Sequence, residues 1–315
     1  MIDVESLTRY YGKTPAVNQV SFTIDEREIV GLLGHNGAGK TTVMKMLSGY
    51  LEPSSGCVRI DGLDVDTNAR EIQAKLGYLP ENLPVYPEMT IAAYLDYAAH
   101  LKGLRGDPKR RSIRRAIEAT ELGERYFDPI GQLSRGFKQR VGVAQAILGE
   151  PKLLILDEPG NGLDPEQNDH MRTLIRDLAG QATVILSTHI MQEVEALCDR
   201  VLVLSSGELA LDSPLATLRE SHHLLLTASD DNPELPKLLG RMPQTLDVDV
   251  LSSEDGQMSL RIGLHMDSAL DTAAGNLSRV VIESGARLYH LAPEHRDLEQ
   301  VFREAIQARG TRHAA

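Results

Sequence analysis

Apolar residues in the first 220 positions gather into short runs at 21–24, 28–33, 153–156, 183–187 and 201–204, rich in Val, Ile, Leu and Thr. Runs of that length are strand-like, and the segments between them carry helical patterns. The alternation predicts an α/β fold whose strands are covered by helices. Between Asn82 and Glu150 the strand-like runs stop and helical spacing takes over, as at Ile91, Tyr94, Leu95 and Ala98. The pattern therefore predicts a helical subdomain, at about 82–150, inserted into the α/β core.

Asp212, Ser213 and Pro214 read as a turn, and from about Ser221 the texture changes. Strand-like runs at 224–227, 246–251, 258–262 and 287–291 alternate with helical candidates at 233–239, 268–283 and 297–308. The order β, α, β, β, α, β predicts a small α+β domain of ferredoxin-like type, followed by a terminal helix. The expected division is 1–220, 221–309 and a frayed tail from Gly310 to Ala315.

Composition narrows the class. The chain has 315 residues, 42% of them hydrophobic and 25% charged, which suits a globular protein with room for two cores. Its longest apolar runs fall far short of the roughly 20 residues that span a bilayer, and Met1 to Ser6 carries no secretory pattern. A cytoplasmic location is expected. Cys57 and Cys198 are too few for a disulfide framework and are read as free thiols. A net charge of -12 disfavours nonspecific attraction to nucleic acid, so none is expected as a partner. Aromatic residues make up only 4%, which draws attention to Tyr11, beside Gly12.

Two motifs carry chemistry on their own. Gly34-His35-Asn36-Gly37-Ala38-Gly39-Lys40-Thr41 fits G-x-x-x-x-G-K-[ST], lying after an apolar run and before the helical stretch that starts at Thr42. Its glycines let backbone N–H groups turn toward phosphate oxygens, Lys40 adds a point charge, and Thr41 can ligate Mg²⁺. The second motif is a buried-type run ending in Asp157 and Glu158, then Pro159. At a strand end beside a phosphate loop, Asp157 can hold the metal shell and Glu158 can polarise the attacking water. The two side chains can serve different partners only if the strand ends there, because successive strand residues point to opposite faces.

Leu133-Ser134-Arg135-Gly136-Phe137-Lys138-Gln139-Arg140 resembles the L-S-G-G-Q signature of the ABC ATPases, with Arg135 and Phe137 departing from it. Gly160-Asn161-Gly162-Leu163-Asp164-Pro165 resembles that family's D-loop, with Gly160 where Thr or Ser is usual. His189 resembles the switch histidine, and Tyr11, or alternatively Tyr10, the aromatic that stacks on adenine. Gly77 to Asn82 resembles the Q-loop, with Glu81 in place of glutamine. The motifs follow one another in family order over roughly residues 1–220.

The resemblance implies an ABC-type P-loop fold, ATP and Mg²⁺ as ligands, and a head-to-tail dimer of nucleotide-binding subunits, homo- or heteromeric. It implies ATP contacts from Tyr11, Gly34 to Thr42 and Asp157, metal contacts from Thr41, Glu81 and Asp157, and catalysis by Glu158 and His189. Ser134, Arg135, Gly136 and Phe137 would reach the ATP of the opposite subunit, with Asn161 and Asp164 in the D-loop. It further implies a separate polytopic membrane permease, docked near Asn82, Tyr86, Glu88 and the helix from Thr90, with the chain peripheral on the cytoplasmic face. Gly77 to Asn82 together with the C-terminal extension is similar to ATPases of type-two ABC exporters, including those of gliding and copper-site maturation. A non-transport ABC ATPase is the alternative, and the C-terminal unit reads as regulatory or dimerising.

Overall fold

The computed structural model describes residues 1–219, 221–266, 268–294 and 297–310. Beyond Gly310, the expected tail lies outside the described residues. The chain packs as two compact units: Met1–Ala216 joined by the chain from Phe302 onward, and Thr217–Val301.

The first unit opens with β1 (Ile2–Tyr11), β2 (Thr14–Ile24) and β3 (Ile29–Leu33), followed by α1 (Lys40–Leu47). Next come β4 (Ser55–Ile60), β5 (Leu63–Asp64), α2 (Val65–Lys75) and β6 (Leu76–Leu79). Three helices follow without an intervening strand: α3 (Ile91–Leu101), α4 (Gly106–Ala119) and α5 (Arg135–Ala146). The unit continues through β7 (Leu153–Asp157), α6 (Pro165–Ala179), β8 (Thr183–Ser187), α7 (Met191–Leu197), β9 (Arg200–Ser205) and β10 (Glu208–Pro214), and this stretch ends at Ala216, within α8 (Leu215–Arg219).

A six-stranded sheet, ordered β10-β9-β3-β8-β7-β6, is parallel except for β10. An antiparallel sheet, β2-β1-β4-β5, faces it. Val43, Met44, Met46 and Leu47 of α1 are buried in the same core as Ile2 and Leu7 of β1 and Leu32, Ile155 and Ile185 of the parallel strands. Helix α1 is thus wedged between the sheets, and its N-terminus is fixed from both sides. β3, β7 and β8 are buried along their whole length, as parallel strands covered on two faces must be.

β1 and β4 escaped the sequence reading because they alternate buried and exposed residues with charges, such as Asp3, Glu5 and Arg59, on the open face. Asp212, Ser213 and Pro214, expected as a turn, instead close β10. That strand lies at the sheet edge, where proline's missing N–H breaks no ladder, and Arg200 anchors it by paired bonds of 2.6 and 2.7 Å to Asp212.

The second unit holds β11 (His223–Ser229), α9 (Leu235–Gly240), β12 (Thr245–Glu254), β13 (Gln257–Leu264), α10 (Leu270–Glu283) and β14 (Leu288–Pro293). Its antiparallel sheet runs β12-β13-β11-β14. Leu224, Leu226, Leu260 and Ile262 pack with Leu235, Leu239, Leu277 and Val281 into a separate core. The last helix, α11 (Leu298–Gly310), is divided: it clusters with this unit up to Val301 and with the first from Phe302. No helix among the described residues is long and apolar enough to cross a membrane.

Candidate functional site

In the parallel sheet β3, β8 and β7 are neighbours, so the loops leaving their carboxyl ends emerge side by side. Those loops carry Gly34 to Lys40, Thr188 with His189, and Glu158 with the turn after it.

The loop from Gly34 to Gly39 depends on glycine for its shape. Gly34, Gly37 and Gly39 have φ of 151°, 82° and 106°. A side chain at Gly34 would press on the Leu204 carbonyl, and one at Gly39 on the Ala16 carbonyl. The second contact seats the β1–β2 hairpin against the loop. Gly39 caps α1 without any side-chain bond, which leaves the N–H groups of the first turn directed outward for an anion. Lys40 is buried, and its Nζ donates to the Gly34 carbonyl at 2.7 Å. His35 and Asn36 are exposed, Ala38 is buried, and Thr41 and Thr42 are half-buried on the first turn of α1.

Asp157 ends β7 and is 1% exposed. Its Oδ1 accepts from Ser187 Oγ at 2.6 Å, whereas Oδ2 is buried without a hydrogen-bond partner. A buried carboxylate oxygen left unpaired is costly, and a cation beside it removes the cost. Asp157 lines the same cleft, about 1060 Å³, as Thr41 and Glu81. These are hard oxygen donors, so the residues present fit a divalent cation such as Mg²⁺. Glu81 is exposed.

The strand stops at Asp157, two residues before Pro159. Glu158 adopts φ 52°, a left-handed backbone rare for a side chain of its size, at a cost of order 1–3 kcal/mol. Its N–H donates to Ser187 Oγ at 2.9 Å. The turn sends the Glu158 carboxylate away from Asp157 and toward His189, whose Nδ1 lies 2.9 Å from Oε2. Glu158 is 8% exposed, while His189 is open to solvent. A nearly buried carboxylate beside an exposed imidazole is suited to accept a proton from water and to orient it.

Ser187 therefore ties both acids together, a role the sequence reading did not assign it. The only signal in the sequence was its place at the end of a buried-type run, and the β7–β8 register is what sets it level with Asp157. Thr188 and Glu193 were missed as well: Thr188 Oγ1 donates to Glu193 Oε2 at 2.6 Å, both buried, and this holds the histidine loop. Glu193 also explains Gly160, because a side chain there would collide with its carboxylate.

Asn161 is half-buried, and its N–H donates to the Glu158 carbonyl at 3.1 Å. Asp164 caps α6 by accepting from the Gln167 N–H at 2.8 Å. Ser134 caps α5, its Oγ accepting from the Phe137 N–H at 3.4 Å. The Phe137 ring lies between the guanidinium groups of Arg125 and Arg140, 5.5 and 5.7 Å from its centroid. Gly136 is buried against the Gln167 side chain, and Arg135 is exposed beside Gly162. None of Ser134, Arg135, Gly136 and Phe137 lines the cleft that contains Thr41. Tyr11 stands exposed at the tip of the β1–β2 hairpin with the Arg9 guanidinium 5.4 Å from its ring.

A phosphate loop on β3 with acids and a histidine from the adjacent strand ends defines a P-loop nucleoside triphosphatase. The ABC transporter family model matches residues 17–161. The bacitracin transport ATP-binding protein BcrA of Bacillus licheniformis is 33% identical over 311 residues, 97% of each chain. From Bacillus subtilis, the ABC transporter ATP-binding protein YxlF is 38% identical over 70% of this chain and 73% of its own. The linearmycin resistance ATP-binding protein LnrL of the same species is 35% identical over 66% of this chain and 68% of its own.

Among solved structures, an ATP-binding subunit of an ABC transporter aligns with TM-score 0.64 and 30% identity, over 69% of this chain and 91% of that one. A cassette solved as a dimer in a post-hydrolysis state with ADP and Pi aligns at 0.63 and 25%, over 68% and 99%. The chain belongs to the ATP-binding proteins of ABC transporters, and its chemistry is ATP hydrolysis.

Proposed function

We propose that this chain is the motor subunit of an ABC exporter, acting as a head-to-tail dimer that drives a membrane permease carried on a separate chain. The observation that carries the catalytic part is the divergence of two adjacent acids: Asp157 with its unpaired buried oxygen, Glu158 turned to His189. In this reading Tyr11 stacks on adenine, the loop from Gly34 to Thr42 holds the phosphates, and Thr41, Asp157 and Glu81 hold Mg²⁺. When bound, the metal draws charge from the phosphate oxygens. Glu158 accepts the proton of the attacking water, and His189 keeps that water and the Glu158 carboxylate in register. Ser134, Arg135, Gly136 and Phe137 present the open turn of α5 to the opposite subunit, with Asn161 and Asp164 beside them. Closing the dimer then requires the terminal phosphate, which links hydrolysis to motion.

Helices α3 to α5 form the inserted subdomain in this reading. The permease docks beside Asn82, Tyr86 and Glu88, where Tyr86 and Tyr97 meet edge-on at 6.1 Å and both are exposed. The names of BcrA and LnrL, transport of one antibiotic and resistance to another, support export. The strand order of the second unit supports a ferredoxin-like domain at 221–309 with a regulatory or dimerising role. A location on the cytoplasmic face of the membrane follows from the permease.

The test pairs two measurements on tagged chain from its native host. Glu158→Gln is expected to bind ATP, to dimerise and to lose about 100-fold or more in turnover, and a polytopic membrane protein is expected to co-purify with the wild type. Near-normal turnover in the variant would remove Glu158 as the base. Purification without any membrane subunit would favour a non-transport ABC ATPase.

A further inference from the structure

Arg135 departs from the signature pattern, and its position gives a reason. It is the first residue of α5, directly after the capping Ser134, yet its guanidinium lies on Gly162 in the loop between β7 and α6. Gly162 has φ 74°, and a Cβ placed there would fall on the guanidinium carbon. Only glycine lets a planar guanidinium rest on the backbone in this way. No hydrogen bond or ion pair to a described residue accompanies the contact. Further along, Gly136 packs on the Gln167 side chain, and Arg140 binds Glu121 at 2.6 Å, whose same oxygen lies 3.5 Å from His170 of α6. The start of α5 is therefore joined to the loop and α6 through side chains. That loop is short: Asn161, next to Gly162, donates its N–H to the carbonyl of Glu158.

We propose that Arg135 is a positioning residue for hydrolysis: its guanidinium, laid on Gly162 of the same chain, couples the start of the signature helix to the loop that sets Glu158. The inference rests on the assignment of Glu158 as base made above. Arg135 acts through the loop rather than on ATP. A displaced loop shifts the carboxylate relative to water, whereas the subunit's own phosphate loop is untouched. The rival role for Arg135, a cation reaching the ATP of the opposite subunit, needs no contact with Gly162.

A double-mutant cycle on the full chain separates the two, with steady-state MgATP hydrolysis and binding of a fluorescent ATP analogue as readouts. Arg135→Ala and Gly162→Ala are each expected to lower kcat about tenfold, with KM and analogue affinity within about twofold of wild type. The double variant is expected within about twofold of the worse single variant, because the new methyl no longer meets a guanidinium. Losses that multiply to about a hundredfold would overturn the proposal, since backbone strain at Gly162 and loss of charge at Arg135 would then be independent. A KM effect without a kcat effect in Arg135→Ala would also overturn it. Retained analogue binding shows that each variant is folded. Should Arg135→Ala fail to fold, Arg135→Gln takes its place in the same cycle and is read by the same criteria. Glu158→Gln run alongside keeps the readings apart: if it turns over normally the base assignment fails, while the cycle still reports the coupling between Arg135 and Gly162.

Discussion

Glu158 holds a left-handed backbone that a non-glycine residue adopts only under constraint, and Ser187 supplies much of that constraint. One hydroxyl donates to Asp157 and accepts from the Glu158 N–H, so Ser187 fixes the direction of both acids at once. Ser187→Ala is expected to leave the buried Asp157 Oδ1 unpaired, while the Glu158 N–H keeps its 3.2 Å bond to the Ser187 carbonyl. The expected cost is about 1–3 kcal/mol of stability in urea unfolding, together with a drop in kcat. A variant as stable and as active as wild type would show that water replaces the hydroxyl. Glu81 is a milder case, because it is exposed and either a carboxylate or an amide oxygen can face the metal. Glu81→Gln is expected to keep ATPase activity, and complete loss of hydrolysis would mean that the negative charge itself is required.

At the scale of elements, Lys102 joins α3 to the sheet. It follows α3, and its Nζ donates to the carbonyls of Leu76 at the start of β6, of Ala146 at the end of α5 and of Leu148 just past it. Burial pulls this ammonium down to about 8 from its ordinary 10.5. Between those two values the unfolded chain binds a proton that the folded chain has released, so stability from this group rises with pH. Below about 8 the folded chain carries a charge that burial disfavours. The stability of wild type relative to Lys102→Met is therefore expected to grow from about pH 7.5 to about pH 9.5 in thermal melts. A flat difference across that window would mean that the lysine stays solvated. The cysteines have no comparable part: Cys198 is buried and its thiol is pushed up to about 12 by that burial, and both cysteines are free.

For the whole molecule, the two units have separate hydrophobic cores, and the residues proposed to bind and hydrolyse ATP all lie in the first. A ligand that binds only the folded form of one unit stabilises that unit by mass action, about 2.7 kcal/mol at a concentration 100 times Kd. Calorimetry of Glu158→Gln with MgATP is expected to move one transition upward and leave a second in place. A single transition that moves as a whole would mean that the units unfold together.

Local sequence was sufficient for the parts of this protein that depend on few neighbouring residues. The glycines of the phosphate loop, the buried strands 153–156 and 183–187 and the strand and helix order of the second unit all follow from short-range periodicity and backbone chemistry. Strands with one solvated, charged face, such as β1 and β4, were not legible that way, and neither was the end of β10, whose fate depended on lying at a sheet edge. Tertiary structure alone decided that β3, β8 and β7 are adjacent, and with that which loops meet. It placed Ser187 between Asp157 and Glu158, Glu193 against Gly160, and Arg135 on Gly162. Such pairings join residues far apart in the chain through sheet order and helix packing, which no local pattern encodes. The residue types that suit phosphate and metal were written in the sequence, and which side chains stand beside one another was decided by the fold.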